Sequence, residues 1–232
     1  MNMRPFVRNY DPNKDKIAVP TICRNTVHET LGQEPMISIA PFIWATPYIH
    51  LHPDYCFILD SGNGTAVGYI IGTPNNEQFL AKYHAEYLPT LDSFKLPKPS
   101  LDRSAKWVGE ELPTAMLQLL HSPGEALHYK DFPQLIEQYP AHLHINLLPD
   151  YQQKGYGKLL MCRFLEKLNA ECIKGVHLVL AADNINADKF YQKTGFREYL
   201  PGKIDDEQNG KSSLDGEQTS WVIRVKDLDL AT

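Results

Sequence analysis

Leu147-Leu148-Pro149-Asp150-Tyr151-Gln152-Gln153-Lys154-Gly155-Tyr156-Gly157-Lys158-Leu159-Leu160 carries the pattern Gln-x-x-Gly-x-Gly between an apolar run, His142 to Leu148, and a helical one. A strand, a tight loop and a helix in that order bring unpaired backbone N–H groups to one point. The first N–H groups of a helix have no intrahelical partner, and the helix dipole draws anions to that end. Gly155 and Gly157 lack the Cβ atoms that would hold a diphosphate off the main chain. The stretch predicts a phosphate cradle made of backbone.

Two nucleotide fingerprints fail on this stretch. A dinucleotide-binding turn needs a third glycine where Leu160 stands, and a P-loop needs Ser or Thr after Gly157-Lys158, where Leu159 stands. A second segment narrows the ligand. Val176 to Ala181 reads as a buried strand. Asp183-Asn184 then opens a helical stretch with Ala187, Phe190 and Tyr191 at helical spacing, stopped by Gly195. Gln-x-x-Gly-x-Gly followed by Asn184-x-x-Ala187-x-x-Phe190-Tyr191-x-x-x-Gly195-Phe196 resembles the core of the GNAT superfamily of acetyltransferases.

That resemblance implies an α/β (α+β) fold whose central sheet is mixed, mostly antiparallel and splayed between its fourth and fifth strands, with flanking helices. It implies acetyl-CoA as co-substrate, held by Leu147, Leu148 and the run Gln152, Gln153, Lys154, Gly155, Tyr156, Gly157 and Lys158. Asn184 would contact the pantetheine arm and Tyr191 would protonate the leaving thiolate. Read from the residues alone, the alternative for Tyr191 is a core tyrosine packed beside Phe190.

Composition sets the outer bounds. The chain has 232 residues, 43% hydrophobic and 22% charged, within the range of ordinary globular proteins. A net charge of −5 gives no electrostatic footprint for nucleic acid. Four cysteines form no C-x-x-C pair and no metal spacing with histidine, so no metal site is expected. Met1-Asn2-Met3-Arg4-Pro5 holds no signal core, and no apolar run approaches the roughly 20 residues of a membrane span. The expectation is a cytoplasmic enzyme of unspecified oligomeric state, with a small-molecule partner and neither nucleic acid nor membrane.

Along the chain a single domain, 1–232, is expected. Arg4 to Asn9 reads as a first strand. A helix is expected from about Asp15 to Thr30, broken or kinked at Pro20, and Gly32 to Pro53 reads as a packed loop with four prolines. Tyr55 to Asp60 and Thr65 to Gly72 form a hairpin about Ser61-Gly62-Asn63-Gly64. A helical insertion over about 74–140 precedes the fourth strand, with helices near 78–88, 103–120 and 132–138. The polar stretch 202–218 reads as a mobile loop before a last strand, Thr219 to Val225.

Pro47-Tyr48-Ile49-His50-Leu51-His52-Pro53-Asp54-Tyr55-Cys56-Phe57, with the hairpin and insertion behind it, resembles the acetyltransferase-like C-terminal domain of O-GlcNAcases and its free-standing microbial relatives. Animal versions of that domain have degenerate phosphate loops, whereas this chain keeps Gln-x-x-Gly-x-Gly.

Acetyl transfer to an amine needs a polarised thioester carbonyl, a stabilised thiolate and a proton acceptor. Backbone N–H near Leu147 or Leu148 would serve the first and Tyr191 the second. Asp54 and Asp183 are candidates for the third; Asp183 alternatively caps the following helix. His142 and His144 share one face of a strand and read as packed side chains, with a base as the alternative. Tyr48, His50 and Tyr55, with Asp54 and Asp183, are the candidate acceptor contacts. Three acceptor readings stand: the amine of an amino sugar such as glucosamine, which the resemblance favours, a protein or histone lysine, or none, in a non-catalytic binding module.

Overall fold

The structure, a computed structural model, describes residues 4–93, 95–99, 111–126, 132–200 and 221–228. Seven strands form one sheet: β1 (Phe6–Asn9), β2 (Cys56–Asp60), β3 (Ala66–Thr73), β4 (Ala141–Leu147), β5 (Gly175–Ala181), β6 (Arg197–Glu198) and β7 (Trp221–Asp227). Their order is β1-β2-β3-β4-β5-β7-β6. Among the described residues only β4 and β5 run parallel, and they pair solely at Ala141↔Val176 and His142↔His177. Past His142 the two strands part, which is the splay the sequence predicts.

Ten α-helices accompany the sheet among the described residues: α1 (Pro12–Asp15), α2 (Ala18–Asn25), α3 (Met36–Trp44), α4 (Thr46–Leu51), α5 (Asn76–Lys82), α6 (Glu111–His121), α7 (Pro123–Ala126), α8 (Pro133–Gln138), α9 (Tyr156–Ala170) and α10 (Ile185–Lys193). The period-2 alternation of β2 and β3 divides the core in two. Phe57, Leu59 and Ile70 turn to one face, where α9 lays down Leu160, Met161, Phe164 and Leu168. Cys56, Ile58, Tyr69 and Ile71 turn to the other, against Val19 and Ile22 of α2, Tyr48 and Ile49 of α4, and Phe79 of α5. Each fully buried aliphatic or aromatic side chain contributes on the order of 2 kcal/mol. Helix α9 is thus fixed by its stripe at i, i+1, i+4 and i+8 more than by propensity.

Two departures from expectation have physical causes. The stretch Gly32 to Pro53 is not a loop but holds α3 and α4. Helix α3 buries Ile39, Ala40 and Ile43 against Met116, Leu117 and Leu120 of α6. An apolar segment sandwiched between helices shows no 3.6-residue polar alternation. Pro41 lies within α3, and Pro47 occupies the first turn of α4, where its missing N–H removes no bond. The helix expected over 15–30 is the shorter α2, preceded by α1, which ends at Asp15; Pro20 sits in the first turn of α2 instead of at a kink. The polar stretch 202–218 and the start of the 103–120 helix lie outside the described residues.

Arg8 ties β1 to both neighbouring elements. It reaches Asp15 at 2.6 Å and Asp60 at 2.9 Å. The Asp60 carboxylate also accepts the N–H groups of Gly62 and Gly64 at 2.9 Å each, closing the β2–β3 hairpin. No helix among the described residues is long and apolar enough to cross a membrane.

Candidate active site

The opening between β4 and β5 is built from local features. Helix α9 begins at Gly155, whose φ of +86° is costly for any residue with a Cβ. A Cβ at Gly155 would meet nothing within 4 Å. Glycine is needed there for its backbone angle, and the space above it is open to a ligand. Gly157 answers a different need. A Cβ there would lie 3.1 Å from the Phe190 ring and 3.8 Å from Leu147, so this glycine lets α9 pack on α10 and is not clearance for an anion.

Among the described residues the N–H groups of Gln153, Lys154, Gly155, Tyr156 and Gly157 donate to no backbone carbonyl, whereas that of Lys158 bonds to the Gly155 carbonyl at 3.1 Å. The cradle therefore spans 153–157, and the Lys158 amide is not part of it. Two side chains brace it. Gln152 Nε2 donates to the Leu147 carbonyl at 2.8 Å, and Lys154 Nζ donates to the Asp150 carbonyl at 2.6 Å. A loop with five free donors at a helix start fits the diphosphate of coenzyme A.

The ladder decides which main-chain donors face the opening. The Leu148 N–H is spent on the Val67 carbonyl of the β3 side at 2.9 Å. Alternation along an antiparallel pair then turns the N–H groups of Ile145 and Leu147 away from β3, toward the gap. The Leu148 N–H is thus unavailable to a ligand in the gap, while that of Leu147 faces it.

Tyr191, in α10, is buried between Phe190 and Phe196, with ring centroids 5.4 and 5.7 Å away. Burial pushes its phenol well above the ordinary tyrosine range, so the proton is held through neutral pH. Its hydroxyl makes no hydrogen bond with the described residues. Asn184 caps α10 by accepting the Ala187 N–H at 3.1 Å. The cap is therefore Asn184 and not Asp183. The Asp183 side chain is 68% exposed and lies 3.6 Å from His28.

The face of the opening away from α9 and α10 is polar. Tyr48 stacks on Phe79 at 4.6 Å and turns its hydroxyl to His142 Nδ1 at 3.0 Å and His144 Nε2 at 3.1 Å. Next along β4, Asn146 Nδ2 donates to Thr26 Oγ1 at 2.6 Å. The Thr26–His28 turn thus spans from β4 to Asp183 just past β5. Helix α5 presents Phe79 to Tyr48, and Leu135 and Ile136 of α8 pack on Ile223 and Val225 of β7. Two helices of the 74–140 insertion therefore flank this face, while α6 packs outside on α3.

The remaining sequence candidates do not gather here. Asp54 is exposed at the edge of the sheet where β4 begins, at the opposite end from Asp183. The two carboxylates share no site. Tyr55 turns to the α9 face, where its hydroxyl donates to Glu171. His50 is exposed, with its ring 5.9 Å from Tyr87 and not toward β4. The motif that placed these residues side by side in sequence scatters them because a strand start and a helix send neighbours to different faces. What the sequence reading lacked was His177, whose ring lies 5.0 Å from His142, together with Thr26, His28 and Asn146. A histidine inside the apolar Val176–Ala181 run, level with His142 on the neighbouring strand, was the available signal. Among the described residues no group of three or more His, Cys, Asp or Glu side chains is placed to hold a metal ion.

Comparison with known proteins completes the assignment. The family model described as Acetyltransferase (GNAT) domain matches residues 124–198, the span holding both halves of the opening. The crystal structure of SsHAT is 32% identical to this chain, with 97% of this chain and 98% of that one covered and a TM-score of 0.77. The chain belongs to the GNAT acetyltransferase superfamily. Two more distant structures share the fold. PaiA N-acetyltransferase from Thermoplasma acidophilum, solved with coenzyme A, is 13% identical with a TM-score of 0.53, over 97% of this chain and 99% of that one. PH1933 from Pyrococcus horikoshii OT3 is 14% identical with a TM-score of 0.51, over 98% and 100%. As a GNAT protein this chain is an acyltransferase that uses acetyl-CoA.

Proposed function

We propose that this acetyltransferase acylates the primary amine of a small molecule, an amino sugar such as glucosamine or a glucosaminide. The carrying observation is the pairing of a free-donor cradle at one end of the β4–β5 opening with a polar, helix-flanked face at its side. Acetyl-CoA supplies the thioester. The N–H groups of residues 153–157 bind its diphosphate, and the gap-facing N–H of Leu147 stabilises charge on the carbonyl oxygen. Asn184 orients the pantetheine arm. Tyr191 gives its proton to the departing sulfur, since its hydroxyl is uncommitted and its proton is held by burial.

The amine approaches from the Tyr48 side, because α9 and α10 fill the other. Asp183 attracts the ammonium at the mouth, and Thr26 and Asn146 present hydrogen-bonding groups to sugar hydroxyls. Flanking helices α5 and α8 favour a compact acceptor over an extended peptide. The choice of an amino sugar among compact amines rests on the resemblance to O-GlcNAcase-associated domains. Thiol release from acetyl-CoA, measured against glucosamine, a short glucosaminide, polyamines, aminoglycosides and a lysine peptide, tests this reading. The highest kcat/KM is expected for an amino sugar. Turnover of the lysine peptide with none of any amino sugar would overturn it.

A further inference from the structure

The acceptor face holds more imidazole than amine binding requires. His142 and His144 stand two apart on β4, their rings 4.8 Å from each other, and both meet the single hydroxyl of Tyr48. A phenol has one proton to give. At most one of the two ring nitrogens facing it can accept that proton, so at least one carries N–H. His177 is oriented independently, since its Nδ1 donates to the Tyr139 carbonyl at 2.6 Å. Such a chain is a costly way to fill a core that aliphatic side chains would pack without desolvating polar groups.

Position separates the two members. His142 is only 2% exposed and lies at the last β4–β5 pair. His144 is half-buried, two residues further on, where the strands have parted. Its Nε2 is taken by Tyr48, and its Nδ1 makes no hydrogen bond with the described residues. Nor is that atom among the fully buried polar atoms left without a partner. The atom is therefore not sealed off, and it belongs to the stretch of β4 where the strands have parted.

We propose that His144 is the catalytic base, taking the amine proton on Nδ1 while its Nε2–H donates to Tyr48, which donates in turn to His142 Nδ1. The proposal rests on the N-acetyltransfer reading above, though not on which amine is acylated. As the amine lone pair forms the C–N bond, the nitrogen becomes cationic and its N–H acidic. His144 Nδ1 takes that proton, and the N–H electron pair stays on the amide nitrogen. The C–S bond breaks with its electrons on sulfur, which takes a proton from Tyr191; water then takes the imidazolium proton and returns one to the Tyr191 phenolate, so both side chains are reset. Tyr48 and His142 are positioning residues that fix the tautomer. Burial holds His144 down at about 4, so it is neutral and receptive at physiological pH. The sharp rise in acidity of the nitrogen on acylation makes so weak a base sufficient.

The test uses whichever amine the wild-type protein turns over best. His144→Gln should lower kcat by roughly 100-fold or more, with coenzyme A affinity unchanged by calorimetry. His144→Ala should regain at least about tenfold of its lost rate in added imidazole, a rescue that no packing role provides. Tyr48→Phe keeps the stack on Phe79 and should also lower kcat. Combined with His144→Gln, it should add less than about threefold, because a positioning residue has nothing left to position. A His144→Gln rate within threefold of the parent, absence of imidazole rescue in folded His144→Ala, or fully multiplicative single effects would overturn the proposal. Should the alanine variant not fold, kcat of the glutamine variant decides. Failure of amino sugars alongside turnover of another amine would defeat the acceptor assignment and leave this test standing.

Discussion

At the scale of single residues, the site separates side chains that hold the protein from those that hold substrate. Tyr191 makes ring contacts with Phe190 and Phe196 but commits its hydroxyl to nothing among the described residues. Tyr191→Phe should therefore cost less than about 1 kcal/mol of stability while lowering kcat by roughly 100- to 10,000-fold. Paired thermal melts and steady-state rates check this, and a rate within threefold of the parent would reduce Tyr191 to packing. Asp183 is largely exposed, and its 3.6 Å contact with His28 is a surface pair worth little to the fold. Asp183→Asn should leave the melting temperature within a degree or two and raise the KM for the amine by roughly tenfold, with the KM for acetyl-CoA unchanged. Equal effects on both KM values would place Asp183 with the coenzyme instead.

At the scale of elements, the site depends on α9 and α10 meeting closely at their first turns. Gly157 is the contact point, with a Cβ there only 3.1 Å from the Phe190 ring. Gly157→Val should force the helices apart at a cost of about 1–3 kcal/mol, lowering Tm by several degrees and weakening coenzyme A binding together. An unchanged melt would mean that the helices have slack at this point. These two strand–loop–helix units were legible in the sequence because backbone chemistry announces itself locally, through Gly155, Gly157, Asn184 and Gly195. Helices α3 and α4 were not, since an all-apolar, proline-bearing segment buried on several sides loses the polar alternation that marks a helix. Likewise Asp54 and Tyr55 sat in a specific motif, but only the register of β2 shows that Tyr55 shares a face with Phe57 and Leu59 and turns from the opening. The histidine cluster joins β4, β5 and α4, and no local pattern connects three distant segments.

At the scale of the whole molecule, the buried imidazoles make stability depend on pH. Burial holds His144 and His177 at about 4 and His142 well below its ordinary value. In the unfolded chain each titrates near 6.5. Between those values the unfolded state binds the proton and the folded state does not. Stability is therefore full above about pH 6.5 and is lost as pH falls toward 4, by up to about 1.4 kcal/mol per pH unit for each histidine. Tm should fall steadily from pH 7 to 5, and more gently in His142→Gln. A second loss should follow near and below pH 4. Although burial pulls the Asp60 carboxyl upward, Arg8 and the Gly62 and Gly64 N–H groups outweigh it and hold the group below its usual range. Asp60→Asn should lessen this second descent. A Tm flat from pH 7 to 5 would contradict a neutral, buried histidine cluster.

The central claim, that the free amides of residues 153–157 bind the coenzyme diphosphate, is tested most directly by calorimetric titration of coenzyme A into three proteins. Gly155→Ala adds only backbone strain of about 1–2 kcal/mol at a site where a Cβ meets nothing, and should retain measurable binding. Gly155→Glu carries the same strain and adds a negative charge over the cradle. It should weaken binding at least tenfold beyond the alanine variant while melting at a similar temperature. Equal affinity in the alanine and glutamate variants would show that the diphosphate lies elsewhere.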